Sequence, residues 1–429
     1  MIFDTITLIL GAAIIILAVL TSLLSPFRRA DVKTLSSFDV EKPNDDVLSP
    51  LRSESAPADR AETMRSLDVE APSDDLSISQ HLNISTSQPL TLLITVQQKQ
   101  AQMLERHLPQ FLSQDYAPGF EVVVVAEKGD SDTEDVLNRY AGNPLLYSTY
   151  IPDSSRYMSR KKLAITLGVK AAHNEWIVMT DAFCSPSGNH WLKAIASHIG
   201  PADASTSPNL IIGYSNYDDE ARPYYRFERL QQACYTMREA RRGKAYRAMG
   251  CNVAFRKSEF IAGDGFRGNL EHTRGEYDFL VNKFSQRRST AVANEPDAWI
   301  IDDAPTRHEW RSRHIYYMHT RKYLARSFRH RLLPFIDELA LHLCFLAIIG
   351  IGVFAGLTSR WILLGAAVVA LVIAVCMRTS FARKTVRAYG EDIASWRLYP
   401  YELSGIWHKL YQHLRYWRAD KAGFTSHKV

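Results

Sequence analysis

The chain has 429 residues, 46% of them hydrophobic and 23% charged, a length that accommodates a full catalytic domain with accessory segments around one large core. Its formal net charge of +5 is modest, and its basic residues gather around apolar segments with no basic stripe interleaved with aromatics. That charge orients the chain at a membrane and leaves no footprint for nucleic acid. Five cysteines, Cys184, Cys234, Cys251, Cys344 and Cys376, stand without CxxC spacing, two of them in apolar runs, which implies neither a disulfide framework nor a zinc site and favours the cytosol.

Residues 5–25, TITLILGAAIIILAVLTSLLS, carry no charge and match the ~20 residues a helix needs to cross the hydrocarbon core. Arg28, Arg29 and Lys33 follow this run instead of preceding it. The run is also longer than a signal-peptide core and lacks a small-x-small cleavage site. Residues 1–27 are therefore expected to be a membrane anchor whose C-terminal end faces the cytoplasm, by the positive-inside rule. Residues 28–87 are expected to be a disordered linker, because 31–85 is rich in Ser, Asp, Glu and Pro, with few aromatics and no sustained periodicity.

From residue 88 the pattern alternates. Leu90 to Val96 is a short β-rich apolar run, and AQMLERHLPQFLSQ then places Met103, Leu104, Leu108 and Leu112 on one helical face. Phe120 to Val125 is another buried strand, an acidic turn leads into a second helix, Lys161 to Ala172 reads as a third, and Trp176 to Thr180 is a strand that ends on Asp181. This β-α-β-α-β order predicts an α/β fold with a parallel sheet, helices on both faces and a ligand site at the carboxyl ends of the strands. A carboxylate there can hold a divalent cation that bridges two phosphates; the plainer role for Asp181 is to cap the turn before Pro186.

Residues 332–355 and 361–377 are further candidate spans, a hairpin over 332–377 joined by the turn from Gly356 to Arg360. Arg326, Arg329 and Arg331 precede the pair and Arg378, Arg383, Lys384 and Arg387 follow it, so the central domain shares the cytoplasmic side with the tail, 378–429. Asp337, Glu338 and His342 in the first of the two runs argue instead for a buried globular helix. The aromatic and basic stretch YPYELSGIWHKLYQHLRYWRADK reads as an amphipathic helix at the lipid interface or packed on the central domain.

Four stretches in order, FEVVVVAEKGDSDTEDVL, SRKKLAITLGVKAAHNEWIVMTDAFCSP, RAMGCNVAFRKSEF and GEYDFLVNKF, resemble the family-two glycosyltransferases, and particularly their membrane-anchored bacterial members. The resemblance runs from about Pro89 to Tyr323. It implies a GT-A domain over 88–325, a Rossmann-like mixed sheet with helices on both faces, which transfers a hexose with inversion from a nucleotide-diphosphate sugar. The implied acceptor is a lipid-linked or cell-envelope glycan, the implied place the bacterial inner membrane with the catalytic domain towards the cytoplasm and lipid around it. The resemblance further implies that Thr95 and Glu127 contact the nucleotide base and ribose, and that Lys162 meets a phosphate or the base. Asp181, the first acid of the DxD signature, would hold Mg²⁺ or Mn²⁺. Gly250 and Asn252 would line the sugar and acceptor pocket, with Glu276 as general base and Asp278 in reserve. Arg311 and Arg313, in WRSRH, would be phosphate partners or head-group contacts.

The chain also departs from the family pattern. Asp-x-Asp becomes Asp181-Ala-Phe183, the Asn-Glu after the first strand becomes Gln97-Gln-Lys-Gln100, Ala126 precedes Glu127 at the first base-contacting acid, and the QxxRW element is incomplete. Two readings follow: an active transferase, or a glycosyltransferase-like scaffold that binds a nucleotide sugar without turning it over.

Overall fold

The computed structural model describes residues 5–30, 88–152, 159–200, 207–242, 244–248, 250–285, 289–326 and 328–425. From residue 31 onward, the expected linker lies outside the described residues.

An apolar helix, α1 (Thr5–Leu23), comes first. Strand β1 (Leu90–Thr95) follows, then α2 (Ala101–Leu112), β2 (Phe120–Glu127), α3 (Ser131–Arg139), β3 (Leu146–Ile151), α4 (Arg160–Ala171) and β4 (Trp176–Asp181), the alternation expected from the sequence with β3 added to it. The next stretch is less regular: β5 (Cys184–Pro186), α5 (Trp191–Ser197), β6 (Leu210–Gly213), β7 (Ser215–Tyr217), α6 (Pro223–Arg242), β8 (Val253–Arg256), α7 (Lys257–Ala262), α8 (Glu276–Phe284), β9 (Thr290–Ala293), β10 (Ile300–Asp302) and α9 (Arg307–Thr320). Three long helices complete the chain, α10 (Phe328–Leu357), α11 (Trp361–Ala388) and α12 (Ser395–Arg418).

Among the described residues the strands form a seven-stranded sheet, β3-β2-β1-β4-β8-β6-β9, and a three-stranded sheet, β5-β10-β7. The first four strands in sequence are parallel, whereas β8 runs against β4 and β6, so the large sheet is mixed. Strands β1 and β4 are apolar along their length because both faces are covered. Leu92, Val122 and Val178 cluster with Leu104, Leu108 and Phe111 of α2 and Trp191 of α5. The alternate residues Leu93, Val123 and Met179 cluster with Ile165 and Val169 of α4 and Val281 of α8 on the other face. Met103 stands at the edge of the buried face of α2, where it reaches the cleft described below.

Three of the described helices, over Thr5–Leu23, Leu332–Leu357 and Trp361–Ala388, are long and apolar enough to cross a membrane. They pack through small or slender residues, Ala18, Cys344, Ala370 and Ala374 with Ile14 and Ile348, while Leu346, Val353 and Val372 point outward. Helix α11 continues beyond the expected end at residue 377 to Ala388. Arg378 therefore lies inside a helix. It is buried, and its guanidinium donates to Asp337 Oδ1 at 3.0 Å, to Glu402 and to the Thr21 carbonyl at 3.1 Å. The acids that argued for a globular helix are thus paired: Asp337 also accepts from the Tyr235 hydroxyl of α6 at 2.8 Å, and Glu338 meets Lys409 of α12.

Cys184 and Cys251 are joined as a disulfide, contrary to the absence of a framework expected from their spacing. Their separation of 67 residues carries no motif; Cys184 opens β5 of the small sheet and Cys251 lies just before β8 of the large one, so the meeting of the two sheets brings them together. Cys234, Cys344 and Cys376 are free.

Candidate active site

A cleft of about 460 Å³ opens at the carboxyl ends of β1 and β4, walled by α8, α9 and the end of β10. Register alone fixes its floor: Thr95 and Asp181 are direct partners across β1 and β4. The Thr95 hydroxyl donates to Asp181 Oδ1 at 2.7 Å, and Lys161, in the first turn of α4, donates from Nζ to Asp181 Oδ2 at 2.6 Å. Nζ also lies 4.8 Å from the centre of the Tyr277 ring and 5.8 Å from that of Phe183. Burial, helped by the adjacent Asp181 carboxylate, holds the Tyr277 phenol well above its ordinary pKa.

Most of the other acids of the cleft have their own cations. Asp302, at the end of β10, accepts from Arg229 Nη1 at 2.8 Å and lies 3.6 Å from Arg313. Asp303 meets His107 at 3.0 Å. Asp278 faces Arg247 Nε at 3.4 Å and accepts from the Ala248 amide at 3.1 Å; burial raises its pKa, and Arg247 opposes the rise. Glu228 pairs with His314 Nε2 at 3.1 Å, while His314 Nδ1 lies 2.7 Å from the Trp310 carbonyl. A carbonyl and a carboxylate both accept, so the two ring nitrogens both donate and the imidazole is cationic. Burial lowers the pKa of His314, and the charge and hydrogen bond of Glu228 overcome it, leaving it raised.

Glu276 differs. It is the first residue of α8, where the helix dipole favours a carboxylate, and its near partner is the Ser159 hydroxyl at 3.4 Å. Among the described cleft carboxylates within the protein's interior, it is matched to no cation by an ion pair. Gly275 sets its position: φ of +93° at the N-cap suits glycine, and a Cβ there would lie 2.9 Å from Thr320 Cγ2.

Of the residues expected from the sequence, Asp181, Gly250, Glu276, Asp278 and Arg313 line the cleft, as do Gln97 and Gln100. Thr95 stands directly behind Asp181. A side chain at Gly250 would run into Arg229 and Ser215, so the glycine leaves room for the guanidinium that holds Asp302. The remaining four do not line the cleft. Lys162 turns the other way along α4 and donates to the His272 carbonyl at 2.6 Å and to the Asn269 carbonyl; burial lowers its pKa to about 8. Asn252 donates to the carbonyls of Tyr214 and Ala298, Glu127 pairs with Arg160 at 2.9 Å, and Arg311 lies 6.0 Å from the Tyr411 ring of α12. Sequence reasoning passed over Lys161, Arg229, Arg247, Tyr277, His314 and Asp302. Lys161 was in view, one residue before Lys162, and a turn of about 100° per residue separates their directions.

A divalent ion does not fit these donors. Mg²⁺ requires oxygen ligands at about 2.0–2.1 Å in near-octahedral geometry. Both oxygens of Asp181 are already engaged, and the position two residues on is the Phe183 ring. Among the described residues, Cys184, Cys251 and Asp302 also bring ligand-type atoms together, but the two sulfurs are bonded to each other and Asp302 is held by Arg229.

No protein-family model and no curated protein matches the chain. Among solved structures it is similar to a mannosyltransferase from Pyrobaculum calidifontis in complex with GDP-mannose and Mn²⁺, at 17% identity over 70% of this chain and 86% of that one, with a TM-score of 0.44. It is also similar to S. aureus TarS residues 1–349, at 12% identity over 75% of this chain and 92% of that one, with TM-scores of 0.37 and, for the UDP-GlcNAc complex, 0.38. At those values, the chemistry of this cleft is read from its own residues.

Proposed function

We propose that the chain is a membrane-anchored glycosyltransferase of the GT-A type, which moves a hexose from a nucleotide-diphosphate sugar to a lipid-linked or cell-envelope glycan with inversion. The carrying observation is Glu276, a carboxylate with no ion pair among the described residues, in the same cleft as the cations Lys161, Arg274 and Arg313. Inversion needs one in-line attack: the acceptor oxygen forms its bond to the anomeric carbon as the bond to the diphosphate breaks. Glu276 takes the acceptor's hydroxyl proton, and the cations meet the charge that grows on the departing nucleoside diphosphate. Asp278, already committed to Arg247 and the Ala248 amide, serves less well as base.

The anchoring is part of the proposal. Helices α1, α10 and α11 would cross the bacterial inner membrane with the cleft on the cytoplasmic side, where Arg28, Arg383, Lys384 and Arg387 lie. Helix α12 supports this reading with an exposed stripe of Trp396, Trp407, Leu410, Leu414 and Trp417, which fits the lipid interface. Its other side packs on α9, with Lys322 Nζ donating to the Tyr416 hydroxyl at 3.0 Å.

The test is donor turnover by the purified chain with lipid-linked acceptors, comparing wild type with Asp181→Ala and Glu276→Gln. Loss of general-base catalysis predicts a fall of about 10²–10⁴-fold in kcat for Glu276→Gln. Equal release of nucleotide by all three proteins would defeat the proposal. The scaffold reading is favoured by Phe183 at the second acid position, and it predicts tight donor binding with no turnover by wild type.

A further inference from the structure

We infer that Lys161 and Arg313, both close to the Phe183 ring, form the cationic clamp for the donor's diphosphate, so that the cleft binds nucleoside diphosphates without a divalent ion. This rests on the reading of the cleft as a nucleotide-sugar site. Phe183 occupies the position where a second metal-binding acid would stand. Its ring centre lies 5.8 Å from Lys161 Nζ and 5.3 Å from the Arg313 guanidinium carbon. An aromatic face attracts an ammonium or guanidinium group and offers a divalent ion no lone pair to bind. The replacement of the acid and the arrival of the cations therefore belong to one arrangement.

The surrounding bonds point the same way. Lys161 Nζ sits 2.6 Å from Asp181 Oδ2, with the lysine side chain nearly buried, and Thr95 holds the other oxygen. An incoming metal ion would have to displace an ammonium already seated on its single carboxylate. One of the three Nζ hydrogens serves Asp181, which leaves two for phosphate oxygens. Arg313 is also available: Arg229 already satisfies Asp302 at 2.8 Å, whereas Arg313 stands 3.6 Å from it and is half-exposed to the cleft, with a planar fork suited to a phosphate.

The experiment measures equilibrium binding of UDP, GDP, ADP, CDP and dTDP to the full chain in detergent micelles, each in EDTA and again with Mg²⁺ or Mn²⁺. At least one probe is expected to bind with the same affinity in EDTA as with metal. Lys161→Ala and Arg313→Gln should each weaken that binding by about 10- to 100-fold, the effect of losing a charge-assisted hydrogen bond, and Lys161→Arg should restore part of it. Adding Phe183→Asp to Lys161→Ala should make binding metal-dependent. Melting without ligand separates lost binding from lost folding, and Arg313→Gln, at a half-exposed site, keeps a folded variant in hand. Binding by wild type that disappears in EDTA and returns with metal would overturn the inference while leaving the nucleotide-sugar reading intact. Undiminished binding by Lys161→Ala or Arg313→Gln would also overturn it. Failure of every probe in every condition would overturn both.

Discussion

His314 shows how a single side chain can change the meaning of a motif. The segment WRSRH draws attention to its arginines as phosphate partners, yet Arg311 turns to α12 and His314 enters the cleft as a cation between Glu228 and a carbonyl. Because its folded pKa is raised, it stabilises the fold most when the pH is below the ordinary histidine value of about 6.5, and that contribution fades as pH climbs through the raised value. Melting curves of wild type and His314→Gln should therefore differ most in acid and converge with rising pH. A gap that widens towards alkaline pH would contradict the assigned charge. The sequence shows which residue types are present here. It does not show that the Trp310 carbonyl takes Nδ1, because that depends on the turn of α9 and on Glu228, 86 residues earlier.

At the level of elements, β1, β2 and β4 were legible because each is a continuous apolar run, and α2 because its apolar residues recur at the 3.6-residue period; β3, with Ser148 and Thr149 inside it and only Ile151 fully buried, was not read from the sequence. Strands β5, β7 and β10 were not, being three residues long and paired with segments far away in the chain. That small sheet carries Asp302 and the Cys184 end of the disulfide, so the half of the cleft it builds was hidden as well. Helix α8 was read correctly as a carrier of acids, but its start depends on Gly275 and the Thr320 side chain of α9. Replacement of Gly275 by alanine should cost about 1–2 kcal/mol, the penalty of a left-handed conformation at a residue with a Cβ. Melting should register that loss, and turnover should fall with it as Glu276 shifts; a variant with wild-type melting and kinetics would show that Gly275 does not position the helix.

Across the described part of the molecule, the contacts by which the apolar helices meet the sheet domain include two that also hold the helices together. Phe27, just after α1, packs with Phe227 and Leu230 of α6 and with Val386 and Leu398. Beside it, Arg378 gathers Asp337, Glu402 and the Thr21 carbonyl, and Asp337 reaches Tyr235. Hydropathy found the three long apolar helices but reckoned Arg378 among the flanking positive charges; burial of its guanidinium among acids was invisible to a count. Replacing it with methionine should cost about 3–5 kcal/mol by leaving two buried carboxylates without their cation. Thermal unfolding in detergent should show this, and Arg378→Met melting like wild type would remove the group from the joint.

One guanidinium thus ties α1, α10, α11 and α12 together and, through Asp337 and Tyr235, fastens them to α6, whose Arg229 lies in the cleft wall. If the three apolar helices cross a membrane as proposed, the height of the cleft above the lipid is a built-in ruler, and a substrate carried in the bilayer would be chosen by how far its reactive end reaches.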